Sequence, residues 1–193
     1  MAAKNIPYGV TDFRLIRANN YYYVDKTSYI ALVENAARFF FLIRPRRFGK
    51  SLFVNMLSWY YDINRKDSFE ELFGDLYIGK HPTEEQGKYL ILSFNFSAVN
   101  PDPDKLMESF EWHCHLRFME FANAYASSFE SGFAEEIKNA PSATAKFSYI
   151  ISKAKELELP IYLVIDEYDN FTNQLITSNK DLLYSELTTG DSF

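Results

Sequence analysis

An α/β fold with a largely parallel sheet is the architecture this sequence predicts. Three observations carry it. Short apolar, β-prone runs stand at residues 38–43 (RFFFLI), 89–96 (YLILSFNF) and 161–165 (IYLVI). Segments with helical spacing separate them. The first run passes through a short turn straight into a helical period, the strand–turn–helix order of layered α/β chains.

Taken in order, residues 21–24 (YYYV) are β-prone and short. A helix is expected over 27–37, with Thr27 or Ser28 as its N-cap. The run 38–43 is bounded by charge and proline, which suits a buried parallel strand, and Pro45 blocks further pairing. From Lys50 the period changes: Leu52, Phe53, Met56, Leu57 and Tyr60 share one helical face, predicting a helix over 50–61. Residues 62–80 mix acids and aromatics and carry no chemical signal. Further helices are expected over 104–130, 143–157 and 179–189, with short connections at 79–88 and 97–103.

Composition narrows the functional classes. A 193-residue chain with 47% hydrophobic and 24% charged residues is long enough for one domain with a core. The single cysteine, Cys114, excludes an internal disulfide framework and fits a reducing compartment. The longest apolar run, Phe39 to Ile43, is too short to span a bilayer, and the N-terminus has no apolar signal core, so a cytoplasmic location without membrane contact is expected. A net charge of −6 argues against a surface built for nucleic acid. Yet Arg38, Arg44, Arg46, Arg47 and Lys50 cluster with no acid among them, which suits a local anion site.

That cluster ends in 44-RPRRFGKS-51. A phosphate-binding loop works because N–H groups after a strand converge on an anion and the following helix adds its positive end. Lysine reaches the outer phosphates and a Ser/Thr hydroxyl helps hold Mg²⁺. Gly49, Lys50 and Ser51 supply the end of that pattern, and Gly49 permits a positive φ or a close backbone approach. Arg44 stands where such loops usually place their first glycine. The candidate cofactor-binding set is Arg46, Arg47, Phe48, Gly49, Lys50, Ser51 and Leu52. A second motif, 161-IYLVIDEYDN-170, places two acids at a strand end. Asp166 is the candidate metal-orienting residue with Ser51, and Glu167 the candidate general base beside Lys50. Asp-Glu after a strand also suits an exposed helix N-terminus, and Arg46 and Arg47 suit either phosphate oxygens or ion pairs with Asp166 or Asp169.

The sequence resembles the bacterial and archaeal AAA-ATPase-like family in 7-PYGVTDF-13, 22-YYVDKT-27, 44-RPRRFGKS-51 and 165-IDEYDN-170, over roughly residues 6 to 193. Arginine in place of the first glycine matches that family's own pattern. The resemblance implies one P-loop NTPase-like domain over 1–193, a three-layer α/β/α arrangement, with ATP held by Lys50 and Ser51 and with Asp166 and Glu167 as the Walker B pair. Full-length members often carry a following PD-(D/E)XK nuclease-like domain, so nucleic acid would enter only through a segment beyond this sequence. A polar sensor residue and an arginine finger are likewise not found before Phe193. The domain is therefore expected to be truncated at its C-terminus, with an exposed sheet edge that invites a protein partner or self-association.

Three functions compete: an Mg-ATP-dependent ATPase, a catalytically weak nucleotide-sensing interaction module, and a nucleic-acid-processing protein in which this domain drives a nuclease, which the resemblance supports and the acidic net charge opposes. In YYVDKT, Asp25 suits bracing of the loop arginines and Lys26 an approach to nucleotide, while a turn capped by Thr27 explains the same residues. His113-Cys114-His115 has metal-ligand chemistry, but residues i and i+2 of a helix do not face one another, so Cys114 reads as a small core residue. Phe110, Phe118, Phe121 and Tyr125 follow one helical face and read as core packing.

Overall fold

The computed structural model describes residues 4–36, 39–43, 45, 47–100 and 102–168. The chain divides into two compact units, Met1–Ile91 and Leu92–Phe193. It is a mixed helix-and-strand structure with a small parallel sheet, compatible with an α/β fold.

Unit 1 is helical. It contains α1 (Phe13–Ala18), α2 (Tyr29–Glu34), α3 (Lys50–Tyr61), a 3₁₀ turn (Ile63–Ser68), α4 (Phe69–Phe73) and α5 (Tyr77–Lys80). Asp12 caps α1 by accepting from the Leu15 N–H at 3.2 Å. This sets Phe13 and Ile16 into the core, where the Phe13 ring meets Phe73 at 4.9 Å and Tyr23 at 5.4 Å. From α3, Met56, Leu57, Tyr60 and Tyr61 are buried. Each fully buried side chain of this size contributes roughly 1.5–3 kcal/mol of transfer free energy.

A polar clasp completes this unit. Thr27 is fully buried (0% exposed). Its hydroxyl donates to Asp25 Oδ1 at 2.6 Å and accepts from the Ile78 N–H at 3.1 Å. The other oxygen of Asp25 accepts from the Tyr77 N–H at 2.8 Å. Asp25 and Thr27 thus cap α5, a four-residue helix whose own N-cap position, Leu76, brings no polar side chain. Burial opposes ionisation of Asp25, but the Thr27 hydroxyl, the N–H groups of Thr27 and Tyr77, and the Arg17 charge together hold its carboxyl below the usual value.

In unit 2, β1 (Leu90–Asn95), which starts at the last residues of unit 1, pairs with β2 (Ile161–Asp166). The other elements are α6 (Pro103–Ala124), α7 (Phe133–Asn139) and α8 (Ala143–Glu156), with 3₁₀ turns at Phe96–Ala98 and Ala126–Ser128. The aromatic surplus packs here. Phe94 meets Phe118 edge-on at 5.4 Å, and Phe133 stacks on Phe129 at 3.8 Å. Ser142 caps α8 locally through the Ala145 N–H, and Glu111 of α6 adds a second cap, accepting from the Ala143 N–H at 2.6 Å.

Several sequence expectations need correction. Residues 39–43 form no strand, and Phe39, Phe41 and Ile43 are 81%, 78% and 88% exposed. Apolarity marks a segment as fit for a sheet but does not supply the neighbouring strand. Residues 21–24 are irregular for the same reason, the Tyr22 N–H donating instead to the Asn5 carbonyl at 2.8 Å. The helix expected over 27–37 spans only Tyr29–Glu34, because Thr27 is committed to the clasp and Ser28 makes no side-chain cap bond. The helix expected over 104–130 ends at Ala124, where Tyr125 leaves helical geometry. The segment 62–80, silent in sequence, holds three short helical elements. The helix expected over 179–189 lies outside the described residues. Among the described residues no helix is long and apolar enough to cross a membrane.

The clasp yields a stability prediction. Thr27→Val leaves the Ile78 N–H buried without its acceptor and should cost about 1–3 kcal/mol, read from urea midpoints. Asp25→Asn should cost about 0.5–2 kcal/mol by weakening the cap. Because the folded pKa of Asp25 lies below its ordinary 3.8, its contribution is present above that value and drains as pH falls through the folded pKa. Asp25→Asn should therefore flatten the loss of stability on acidification; an unchanged acid slope would refute the assignment.

Candidate functional site

The loop before α3 is built around backbone geometry. The Phe48 N–H closes a turn on the Pro45 carbonyl at 3.3 Å. Arg47 and Gly49 both hold positive φ, +68° and +76°. Gly49 is the N-cap of α3 in the left-handed region, and a Cβ built there would meet nothing within 4 Å. The glycine is therefore required by conformation and not by crowding.

The cap has an electrostatic consequence. The first N–H groups of a helix lack intrahelical acceptors and carry partial positive charge. Among the described residues three helices have twelve residues or more. Asp102 caps α6 and Ser142 caps α8 with side-chain oxygens, whereas α3 opens on a glycine and has no acid in its first turn. Lys50, half-buried at that end, adds positive charge where a lysine is least favoured. Ser51 and Leu52 follow on the first turn, half-buried, and Phe48 is exposed.

The far end of α3 is pinned. The Tyr60 hydroxyl accepts from the Thr83 N–H at 2.8 Å, and the Tyr61 hydroxyl donates to Glu34 Oε1 at 3.1 Å. Thr83 Oγ1 donates to that same oxygen at 2.8 Å. Midway, Asn55 Oδ1 accepts from the Phe13 N–H at 2.8 Å. The sequence reading passed over Asn55, Glu34 and Thr83, because each acts on a partner far along the chain and none carries a local motif.

The acid pair closes β2. Asp166 is 8% exposed and its Oδ1 accepts from the Glu167 N–H at 3.0 Å. Glu167 takes φ +53°, a left-handed conformation that costs a non-glycine residue about 1–2 kcal/mol. Such strain collects at functional turns. Arg47, Phe48, Gly49, Lys50, Ser51 and Leu52 belong to unit 1; Asp166 and Glu167 belong to unit 2. Arg44, Arg46 and Asp169 lie outside the described residues.

In YYVDKT, Asp25 bonds to α5 and to Thr27, and Thr27 caps α5 across some fifty residues. Cys114 is buried, and burial first, then the Glu111 charge, pushes its thiol up to about 12. Among the described residues no group of three or more His, Cys, Asp or Glu side chains is placed to hold a metal ion.

A model of a family described as "Predicted AAA-ATPase" matches residues 7–190. A protein of Azotobacter chroococcum mcd 1 described as "Uncharacterized protein in vnfD 5'region" is 46% identical over 59 residues. That match covers 30% of this chain and 11% of the relative's length. No solved structure matches.

The cap generates a prediction of its own. Gly49→Ala should destabilise unit 1 by about 1–2 kcal/mol through φ alone. Gly49→Asn should recover part of that, since asparagine tolerates the left-handed region. Equal urea midpoints for Ala and Gly at position 49 would show that the strain is absent.

Proposed function

Because the chain belongs to the AAA-ATPase-like family, we propose that it binds Mg-ATP at the N-terminus of α3 and hydrolyses it as a P-loop NTPase-like three-layer α/β/α domain. The observation that carries this reading is the positive end of α3, whose N-cap Gly49 brings no side-chain oxygen and which stands inside a basic segment. In it the N–H groups from Gly49 to Leu52 receive phosphate oxygens and the Lys50 ammonium meets the outer phosphates. Arg46 and Arg47 add charge-assisted contacts, and Phe48 offers its exposed ring to the nucleotide. Ser51 and Asp166 would hold Mg²⁺, which supplies neutralisation of charge on the transferred phosphoryl group. Glu167 orients the attacking water and takes its proton. The work of hydrolysis would be delivered to a partner, a nucleic-acid-processing domain among the candidates.

A second reading, a nucleotide-sensing interaction module with little turnover, is favoured by the apolar side chains of Phe39, Phe41 and Ile43, exposed just before the loop.

Binding and turnover measured separately distinguish the two. Lys50→Ala should weaken ATP binding at least about tenfold, the loss of one strong charge contact. Glu167→Gln should retain binding and lose roughly 10²–10⁴ in turnover. ATP affinity unchanged by Lys50→Ala would refute the site. Wild-type binding without any phosphate release above Glu167→Gln would select the sensing module.

A further inference from the structure

Unit 2 holds a cavity of about 190 Å³ between the start of α7 and the C-terminal half of α8. Phe129 and Phe133 line it on one side, and Tyr149, Lys153 and Leu157 line it from α8. The three rings form one row: Phe129 stacks on Phe133 at 3.8 Å, and Phe133 meets Tyr149 at 5.8 Å. Glu130 and Glu136 complete the lining. Both are exposed, and among the described residues neither carboxylate has an ion-pair partner within 4.0 Å. Lys153 is already engaged, its ammonium donating to Glu156 Oε2 at 2.9 Å. That bond first, and then the Glu130 charge, raise the Lys153 pKa above its ordinary 10.5, the sign of a field that favours positive charge.

Size, walls and charge together name a ligand class. At ~30 Å³ per water the space equals about six waters, below the ~300–1,000 Å³ of a drug-sized site, so it takes one group of side-chain size. Aromatic walls attract a cation over a ring face. Two carboxylates neutralise such a cation and accept its N–H donors. A guanidinium meets all of these demands: it is planar and stacks on rings, it donates through a fork, and it sheds water more readily than an ammonium. We propose that this cavity binds a guanidinium group on an aliphatic stem, the chemistry of an arginine residue. An anion would face the two carboxylates, and a purely apolar group would desolvate them without a partner. The site is independent of the nucleotide reading, since it shares no residue with the loop before α3.

Titration of the full chain with N-acetyl-arginine amide, followed by NMR of the aromatic side chains, tests this without nucleotide. Saturable shifts are expected at Phe133 and Tyr149. The citrulline counterpart, a neutral isostere, should bind at least about tenfold more weakly, the loss of a charge-assisted contact. The lysine counterpart should also bind more weakly, since an ammonium has neither fork nor flat face. Glu130→Gln combined with Glu136→Gln, changes at exposed positions, should weaken binding at least about tenfold while leaving the urea midpoint in place. Lys50→Ala should leave binding unchanged, which separates this cavity from the nucleotide site. A six-residue peptide with one central arginine identifies the source: tighter binding than the capped residue places the guanidinium on a partner chain, and equal binding places it on a small molecule. No saturable shift, equal binding of the citrulline or lysine counterpart, or affinity indifferent to the paired Glu substitutions would overturn the proposal.

Discussion

A helix that begins on glycine must find acceptors for its first N–H groups somewhere other than its own cap. Much of unit 1 is arranged around this constraint at α3. The helix's apolar face is buried, its last turn is held by Glu34 and Thr83 through two tyrosine hydroxyls, and its middle is tied to α1 through Asn55. The positive first turn is therefore carried on a helix anchored at its middle and at its far end. Donors carried on such an anchored element stay aligned, so an anion at the site proposed above would meet them with little reorganisation.

The treatment of other helix ends sharpens the contrast. Asp12 caps α1 and Asp102 caps α6, both locally. Elsewhere the acid comes from a distance: Asp25 to α5, and Glu111 to α8 across 32 residues. The fold therefore has acids to spend on helix N-termini, and the basic stretch before α3 holds none. At the end of β2, the left-handed φ of Glu167 and the bond from its N–H to Asp166 form a second locally strained turn, with two carboxylates on it.

What was legible in the sequence was whatever depends on near neighbours. Helix α3 was placed at residues 50–61 because five apolar residues repeat at helical spacing, four of which, Phe53, Met56, Leu57 and Tyr60, are buried. Strands β1 and β2 were placed to within a residue at each end, and Gly49 was flagged for a positive φ that it does adopt. The family was legible too, because the stretches that carried the resemblance are short and contiguous. What failed depends on partners remote in sequence. A strand needs a neighbour, so the apolar run before the loop misled. The motif holding Asp25 and Thr27 looked like a local cap or a brace for arginine, but its acceptors and donors serve Tyr77 and Ile78. No window of sequence contains both halves of that bond.

The same long reach governs when the protein can become itself. Chain synthesis runs from the N-terminus, so the Asp25 carboxylate and the Thr27 hydroxyl emerge from the ribosome well before the amides of α5, which lie 51 and 52 residues later. Local helices such as α1 can form early, but closing so long a loop delays the bond on which unit 1 settles. A nascent chain paused before Tyr77 carries a polar hydroxyl destined for the interior with only Asp25 to answer it. Ribosome pausing in that interval would thus hold unit 1 in an open, chaperone-accessible form.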